Sequence, residues 1–263
     1  MRRYQGRTFV RETIHVCGEF LDADIYPVHQ APGKRRGKCR PTTEIQKKLN
    51  QRNAERKLIR LVHNNFTEND IALHITYEDG RMPPDEDSAK KILARYIRKL
   101  RALFKDRGIE LKYISTTEVG KTTGRVHHHM ILTGGIDRDT LEKMWGYGYA
   151  NSKRLQFGRE GVAGLACYMA KEAGQYRRWS CSRNLERPEP AQIDGRLHKA
   201  DQEQLADAID NGTIHQVMEE QYPGYELVDA EVIRNEVNRG IYIHMVMRRK
   251  KGKMKAERGR MLC

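Results

Sequence analysis

His127, His128 and His129 stand together in a stretch, residues 125–133, that reads as a β-strand. Alternate side chains of a strand share a face, so His127 and His129 project together while His128 turns the other way with Val126 and Met130. The preceding stretch, residues 111–118, also reads as a strand, and the tight loop from Gly120 to Gly124 joins the two as a β-hairpin. With that loop centred near Thr122-Thr123, paired positions sum to about 245, which sets Glu118 opposite His127. Two imidazole nitrogens and a carboxylate oxygen then converge. A mixed set with open positions suits a catalytic divalent ion such as Mg²⁺ or Mn²⁺, whereas a structural zinc normally takes a fourth ligand, usually sulfur. Without Glu118 the histidines would read simply as the polar, half-buried face of a strand.

Tyr168 and Lys171 lie on a segment, residues 160–174, with the pattern of a helix. Positions three apart on a helix are neighbours, so phenol and ammonium share one face while Leu165 and Met169 serve the packed one. Lys171 is suited to holding a phosphate oxygen or to favouring the phenolate of Tyr168, whose ordinary pKa near 10 makes it a poor nucleophile at neutral pH. Taken alone, a Tyr-x-x-Lys tetrapeptide is usually a packing tyrosine beside a solvated lysine. Its position after the histidines is what draws attention to it.

The run from Ser115 to Thr122 nearly matches a phosphate-cradling loop and lacks only its first glycine. Such a loop must open into a helix whose N-terminus faces the phosphates. Residues 125–133 read as a strand, so a nucleoside triphosphate site and a fused helicase motor are not expected.

Around these residues the chain supplies a scaffold. Residues 7–28 are strand-like with a turn at Gly18, and a basic, glycine-bearing stretch follows, which reads as a β-hairpin arm. Residues 42–64 read as a helix with Leu58, Leu61 and Val62 on one face. Ile71, Leu73, Ile75 and Tyr77 alternate as a strand does. From Ser88 to Phe104 apolar residues recur every three or four positions, with Lys91, Arg95, Arg98, Lys99 and Arg101 largely opposite them. Short helical (137–145) and strand-like (148–155) segments precede the tyrosine helix. After it come a polar, proline-bearing connection over 182–196, a helix over 198–211, and a strand over 241–247. A lysine- and arginine-rich tail, residues 248–263, is expected to be disordered.

The 263 residues carry a formal charge of +14, and 38% are hydrophobic. That is enough apolar content for a core, and the charge favours a polyanionic partner over a small metabolite. No apolar run is long enough to span a bilayer and no signal-peptide pattern opens the chain, so a cytoplasmic location without membrane association is expected. The five cysteines are scattered without a C-x-x-C pair and read as reduced thiols.

Thr117-Glu118-Val119-Gly120, Gly124-Arg125-Val126-His127-His128-His129 and Tyr168-x-x-Lys171, taken in order, resemble the rolling-circle replication initiators (Rep proteins) of small phages and plasmids, within the HUH endonuclease superfamily. Leu73-His74-Ile75-Thr76-Tyr77, Met144-Trp145-Gly146 and Trp179 to Asn184 are similar to further stretches of that family. The likeness covers about residues 66–185 and is less specific elsewhere. It implies an α+β fold with one central antiparallel β-sheet flanked by helices, here preceded by a hairpin and helix arm (1–65) and followed by a helix and returning strand (186–247). His127, His129 and Glu118 then correspond to the metal ligands, and Tyr168 to the nucleophile that attacks DNA. His128 departs from the hydrophobic residue usual between the family's histidines. Some relatives carry two tyrosines on one helix, which makes Tyr176 a second candidate, but it lies past Gly174 and the chain reads as a single-tyrosine enzyme.

The expected partner is single-stranded DNA at a replication origin, in hairpin form, with a host helicase or polymerase as further partners. Basic helix faces and the tail would hold the unpaired strand. Superfamily transposases place their tyrosine after the histidines as here, whereas relaxases usually place it before them. A non-enzymatic nucleic-acid-binding protein and a nuclease using water as nucleophile are the readings from other classes.

Overall fold

The computed structural model describes residues 8–29, 44–120, 124–170, 179–235 and 239–250. In chain order the elements are β1 (Thr8–Cys17), β2 (Phe20–His29), α1 (Glu44–Asn65), β3 (Ile71–Thr76), α2 (Glu86–Asp106), β4 (Tyr113–Val119), β5 (Val126–Leu132) and α3 (Arg138–Lys143). They continue with β6 (Ala150–Arg154), α4 (Ala163–Ala170), β7 (Ser180–Cys181), β8 (Ala191–Asp194), α5 (Lys199–Asp210), α6 (Ile214–Gln221), β9 (Tyr225–Arg234) and β10 (Ile241–Arg249). The fold is α+β, with two antiparallel five-stranded sheets. The chain divides into two compact units, one of residues 41–187 and one assembled from residues 1–40 and 188–263.

In the first unit the strand order is β6-β3-β5-β4-β7. Pleat alternation sorts its side chains onto two cores. Ile71, Leu73 and Ile75 of β3, with Val126, Met130 and Leu132 of β5, pack against Leu93, Tyr96, Leu100 and Phe104 of α2. On the other face Ile114 and Ile131 meet Leu58 and Val62 of α1 and Ala166 and Met169 of α4. Full burial of each Leu, Ile or Phe contributes roughly 1.5–3 kcal/mol, so α2 is held by its apolar stripe. Its start is set by Asp85, whose Oδ1 accepts from the backbone N–H of Ser88 at 2.6 Å, satisfying a donor the helix leaves unpaired.

Helix α1 belongs to this unit. Its Leu58 and Val62 are fully buried in the core beneath α4, and the compact unit begins at residue 41, whereas the sequence pattern alone sets a boundary after residue 65.

The second unit has strand order β8-β1-β2-β10-β9. The β1–β2 hairpin read from the sequence is present, and its two strands lie in the interior of this second sheet, which the sequence pattern did not announce. Leu21, Ala23 and Ile25 pack with Ile243, Met245 and Met247 and with Leu205, Met218 and Tyr222 of α5 and α6. Buried Glu12 is held by the Tyr222 hydroxyl and by Arg196 Nη2 at 2.5 Å. Strand β8 lies within the stretch read as a connection, and α6 and β9 had no assignment. Both β8 and β9 are sheet edges; β8 alternates over only four residues, too short a run to stand out in a polar stretch, and β9 has no regular alternation. The tail beyond residue 250 lies outside the described residues. Among the described residues no helix is long and apolar enough to cross a membrane, and Cys17, Cys167 and Cys181 form no disulfide with one another.

Candidate active site

The site is laid out by the register of four adjacent strands. Glu118 pairs with His127 and Thr116 with His129 between β4 and β5. Across β5 and β3, His127 pairs with Thr76 and His129 with His74, and β6 adds Asn151 opposite His74. Directly paired residues point to the same face of a sheet, so His74, Glu118, His127 and His129 share the face on which α1 and α4 pack. The short β4–β5 connection and the period of two put Glu118 and the two flanking histidines where the sequence pattern implies.

His128 faces the opposite core and is fully buried. Its Nε2 is 2.8 Å from the Tyr77 hydroxyl and its Nδ1 2.9 Å from Thr117 Oγ1. Trp145 completes the packing at 5.8 Å between ring centroids. Burial, reinforced by the neighbouring histidines, pushes the His128 pKa down to about 3. A neutral, doubly hydrogen-bonded imidazole thus replaces an apolar residue at this position and anchors the middle of β5.

His74 is the residue the sequence reading did not include in the site. Its ring stacks on His129 at 4.6 Å and on His127 at 5.4 Å between centroids. The signal was present in β3, since Ile71, Leu73, Ile75 and Tyr77 occupy one face and leave His74 with Ala72 and Thr76 on the other. Burial, followed by the repulsion of His74 and His127, holds the His129 pKa at about 4. The His74 pKa is lowered by burial first and then by His127. Both rings are therefore neutral near pH 7 and able to offer a nitrogen lone pair.

Tyr168 projects from α4, 44% exposed, while Ala166, Met169 and Ala170 bury the other side of the helix. Its hydroxyl donates to Glu118 Oε2 at 3.0 Å, and its ring meets His129 edge-on at 4.8 Å. Burial, then the hydrogen bond to Glu118 and that carboxylate's charge, raise the phenol pKa above its ordinary value. Helix α1 steadies α4 at both ends of its described length. His63 Nε2 accepts from the Val162 N–H at 3.2 Å, and Gln51 Nε2 donates to the Ala170 carbonyl at 3.1 Å. The first bond satisfies a backbone N–H at the start of α4 that the helix itself leaves open. Lys171 and Tyr176 lie outside the described residues.

The donor set was tested against a divalent ion. His129 Nε2 and His127 Nδ1 are buried without a hydrogen-bond partner, as nitrogens reserved for a ligand would be. His129 Nε2 is 3.9 Å from Glu118 Oε2, a spacing suited to two ligands each about 2.1 Å from one ion. Among the described residues, no three His, Cys, Asp or Glu side chains are yet drawn together tightly enough to hold a metal. Residue types and facing agree with a metal, and Glu118 faces both the histidines and the Tyr168 hydroxyl.

The basic face of α2, with Lys91, Arg95, Arg98, Lys99 and Lys105 exposed, lies on the other side of the sheet from Tyr168. The sequence pattern marks this face as one that would hold an unpaired strand; in the fold it is turned away from the phenol.

Residues 70–173, from the start of β3 through α4, match the family model described as a replication-associated protein of the ORF2 type. The matched stretch contains His74, Glu118, the three consecutive histidines and Tyr168, and the likeness supports a role in initiating replication. No match was found among curated proteins or solved structures.

Proposed function

We propose that this chain initiates rolling-circle replication by nicking and rejoining single-stranded DNA through a 5′-phosphotyrosine link on Tyr168, as the HUH-type initiators it resembles do. The observation that carries this reading is the hydrogen bond from Tyr168 to Glu118, which holds a nucleophile candidate beside the histidine pair.

His127, His129 and Glu118 would hold a divalent ion, Mg²⁺ or Mn²⁺, with His74 stacked behind the two imidazoles. Such an ion supplies electrophilic polarisation of a non-bridging phosphate oxygen. The phenolic oxygen of Tyr168 attacks phosphorus in line, and its proton passes to the carboxylate of Glu118 that already accepts it. The phosphorus–O3′ bond breaks, and the departing 3′-oxygen takes a proton to become a free hydroxyl able to prime synthesis. Because the phosphodiester energy is kept in the tyrosyl ester, attack by a 3′-hydroxyl reverses the step and rejoins the strand without ATP. Lys171, three residues beyond Tyr168, is assigned the phosphate oxygen in this scheme.

The test is a denaturing gel of the full chain incubated with Mn²⁺ and a labelled single-stranded DNA carrying the origin. A covalent protein–DNA band is expected, lost on adding EDTA and lost in Tyr168→Phe. A band that persists in Tyr168→Phe removes this tyrosine from the role. Cleavage without any linked protein would mean that water is the nucleophile.

A further inference from the structure

Strand β6 is the edge of the sheet that carries the histidines, and it presents three exposed side chains on their face. Ala150 packs into the core beneath α2, and Ser152 is buried with its hydroxyl on Glu142. By alternation Tyr149, Asn151 and Lys153 turn to the other side. Tyr149 is 71% exposed, more than any other large apolar or aromatic side chain among the described residues. Its backbone carbonyl accepts from Thr76 N at 2.9 Å, which continues the β3–β6 ladder and places it in the row Tyr149, Thr76, His127, Glu118. Asn151 lies in the next row, with His74 and His129. None of the three side chains has a hydrogen-bond or ion-pair partner among the described residues.

Gly148 makes this placement possible. A Cβ there would fall 2.3 Å from Glu78 N and 2.6 Å from the Tyr77 carbonyl carbon. Only a glycine lets the chain lie this close to β3 as it delivers Tyr149 to the sheet.

We infer that the outer strand β6 is a binding track for unpaired nucleotides next to the scissile phosphate, in which Tyr149 stacks a base, Asn151 hydrogen-bonds a base edge and Lys153 meets a phosphate. The inference rests on the function proposed above. The three side chains recur about every 6.6–6.8 Å along the strand, a step that lets an extended nucleic-acid strand offer a new nucleotide to each. With strands about 4.7–4.9 Å apart, Tyr149 stands two strands from His127, so its base is within a nucleotide or two of a phosphate held by the histidines. An exposed phenol face serves a base that is free to leave its neighbours, which selects unpaired strands over duplex. Lysines on an edge strand also discourage sheet-to-sheet association; that function does not call for the tyrosine.

The experiment measures binding of a fluorescent oligothymidine by anisotropy in EDTA, so that cleavage plays no part. Tyr149→Ala is expected to weaken binding by about tenfold or more, while Tyr149→Phe, which keeps the ring, binds as the unmodified chain does. Lys153→Gln is expected to lower the salt slope by about 0.7, the single-strand value for one phosphate contact. Duplex binding should not respond to Tyr149→Ala. Unchanged oligothymidine affinity in Tyr149→Ala, or an equal loss on duplex, overturns the inference; the former would be the result if Tyr149 docked a protein. If the unmodified chain forms no covalent DNA adduct yet Tyr149→Ala loses oligothymidine, the tyrosine chemistry fails and the track stands.

Discussion

The hydroxyl of Tyr168 donates to Glu118 Oε2 at 3.0 Å, joining a helix residue to a strand residue fifty positions earlier in the chain. The same carboxylate oxygen lies 3.9 Å from His129 Nε2. One carboxylate thus faces both the candidate nucleophile and the candidate metal ligands, which on the proposed reading places it to accept the phenol's proton. Burial of the ring, together with this carboxylate's charge, opposes formation of the phenolate and keeps the phenol protonated.

Glu118→Gln keeps a hydrogen-bond acceptor for the phenol but removes the charge. Its rate of covalent adduct formation with Mn²⁺ should fall by about 10²–10⁴-fold, the usual range for losing a positioned general base, with single-strand binding retained. A variant as fast as the unmodified chain would exclude Glu118 from proton transfer.

His63 accepts from the Val162 N–H at the start of α4. Replacing it by leucine leaves a buried donor unsatisfied, a loss of about 1–3 kcal/mol, and lets the start of α4 shift. Chemical denaturation should show the lower stability. Single-turnover kinetics should show slower adduct formation at unchanged oligonucleotide affinity, with His63→Gln recovering part of the rate. Normal kinetics in a destabilised His63→Leu protein would mean that α4 is positioned without it.

His128→Leu removes both hydrogen-bond partners offered to Tyr77 and Thr117. Stability should drop by about 2–4 kcal/mol, since two buried hydroxyls lose acceptors or donors at once. A melting curve identical to the parent's would show that the slot accepts an apolar side chain without penalty.

Helix α2 presents its cations away from Tyr168. Exchanging Lys91, Arg95, Arg98 and Lys105 for glutamine should reduce the salt slope for duplex binding by up to about 3.6, at roughly 0.9 per phosphate contact. Adduct formation on a short single strand should be unaffected. Equal loss of both activities would place the stripe in the path of the cleaved strand.

Asp85 is held below the ordinary carboxylate pKa, chiefly by the hydrogen bond from the Ser88 backbone. A depressed acid stabilises the fold above its unfolded pKa and loses that contribution as pH falls through the folded value. Thermal midpoints of the parent should therefore decline more than those of Asp85→Asn as the pH drops below about 4, because asparagine still caps without titrating. Parallel curves would show that α2 does not depend on this charge.

Some of this architecture was legible in the chain and some was not, and the division follows the range of the forces involved. A short connection and a period of two dictate that Glu118 faces His127, and the same alternation sends His128 to the opposite core; both are local rules acting over roughly fifteen residues. The apolar stripe of α2 is likewise local. Nothing local identifies β3 as the strand beside β5, and without that pairing His74 has no reason to stack on His127 and His129. The hydrogen bonds from α1 to α4 through His63 and Gln51, the exposure of Tyr149 on the site's face, and the sheet made from strands near both ends of the sequence all depend on segments distant in sequence becoming neighbours. Residue types and their spacing determined what chemistry this protein could support, because side-chain direction is a local property; tertiary packing alone decided which of those groups meet.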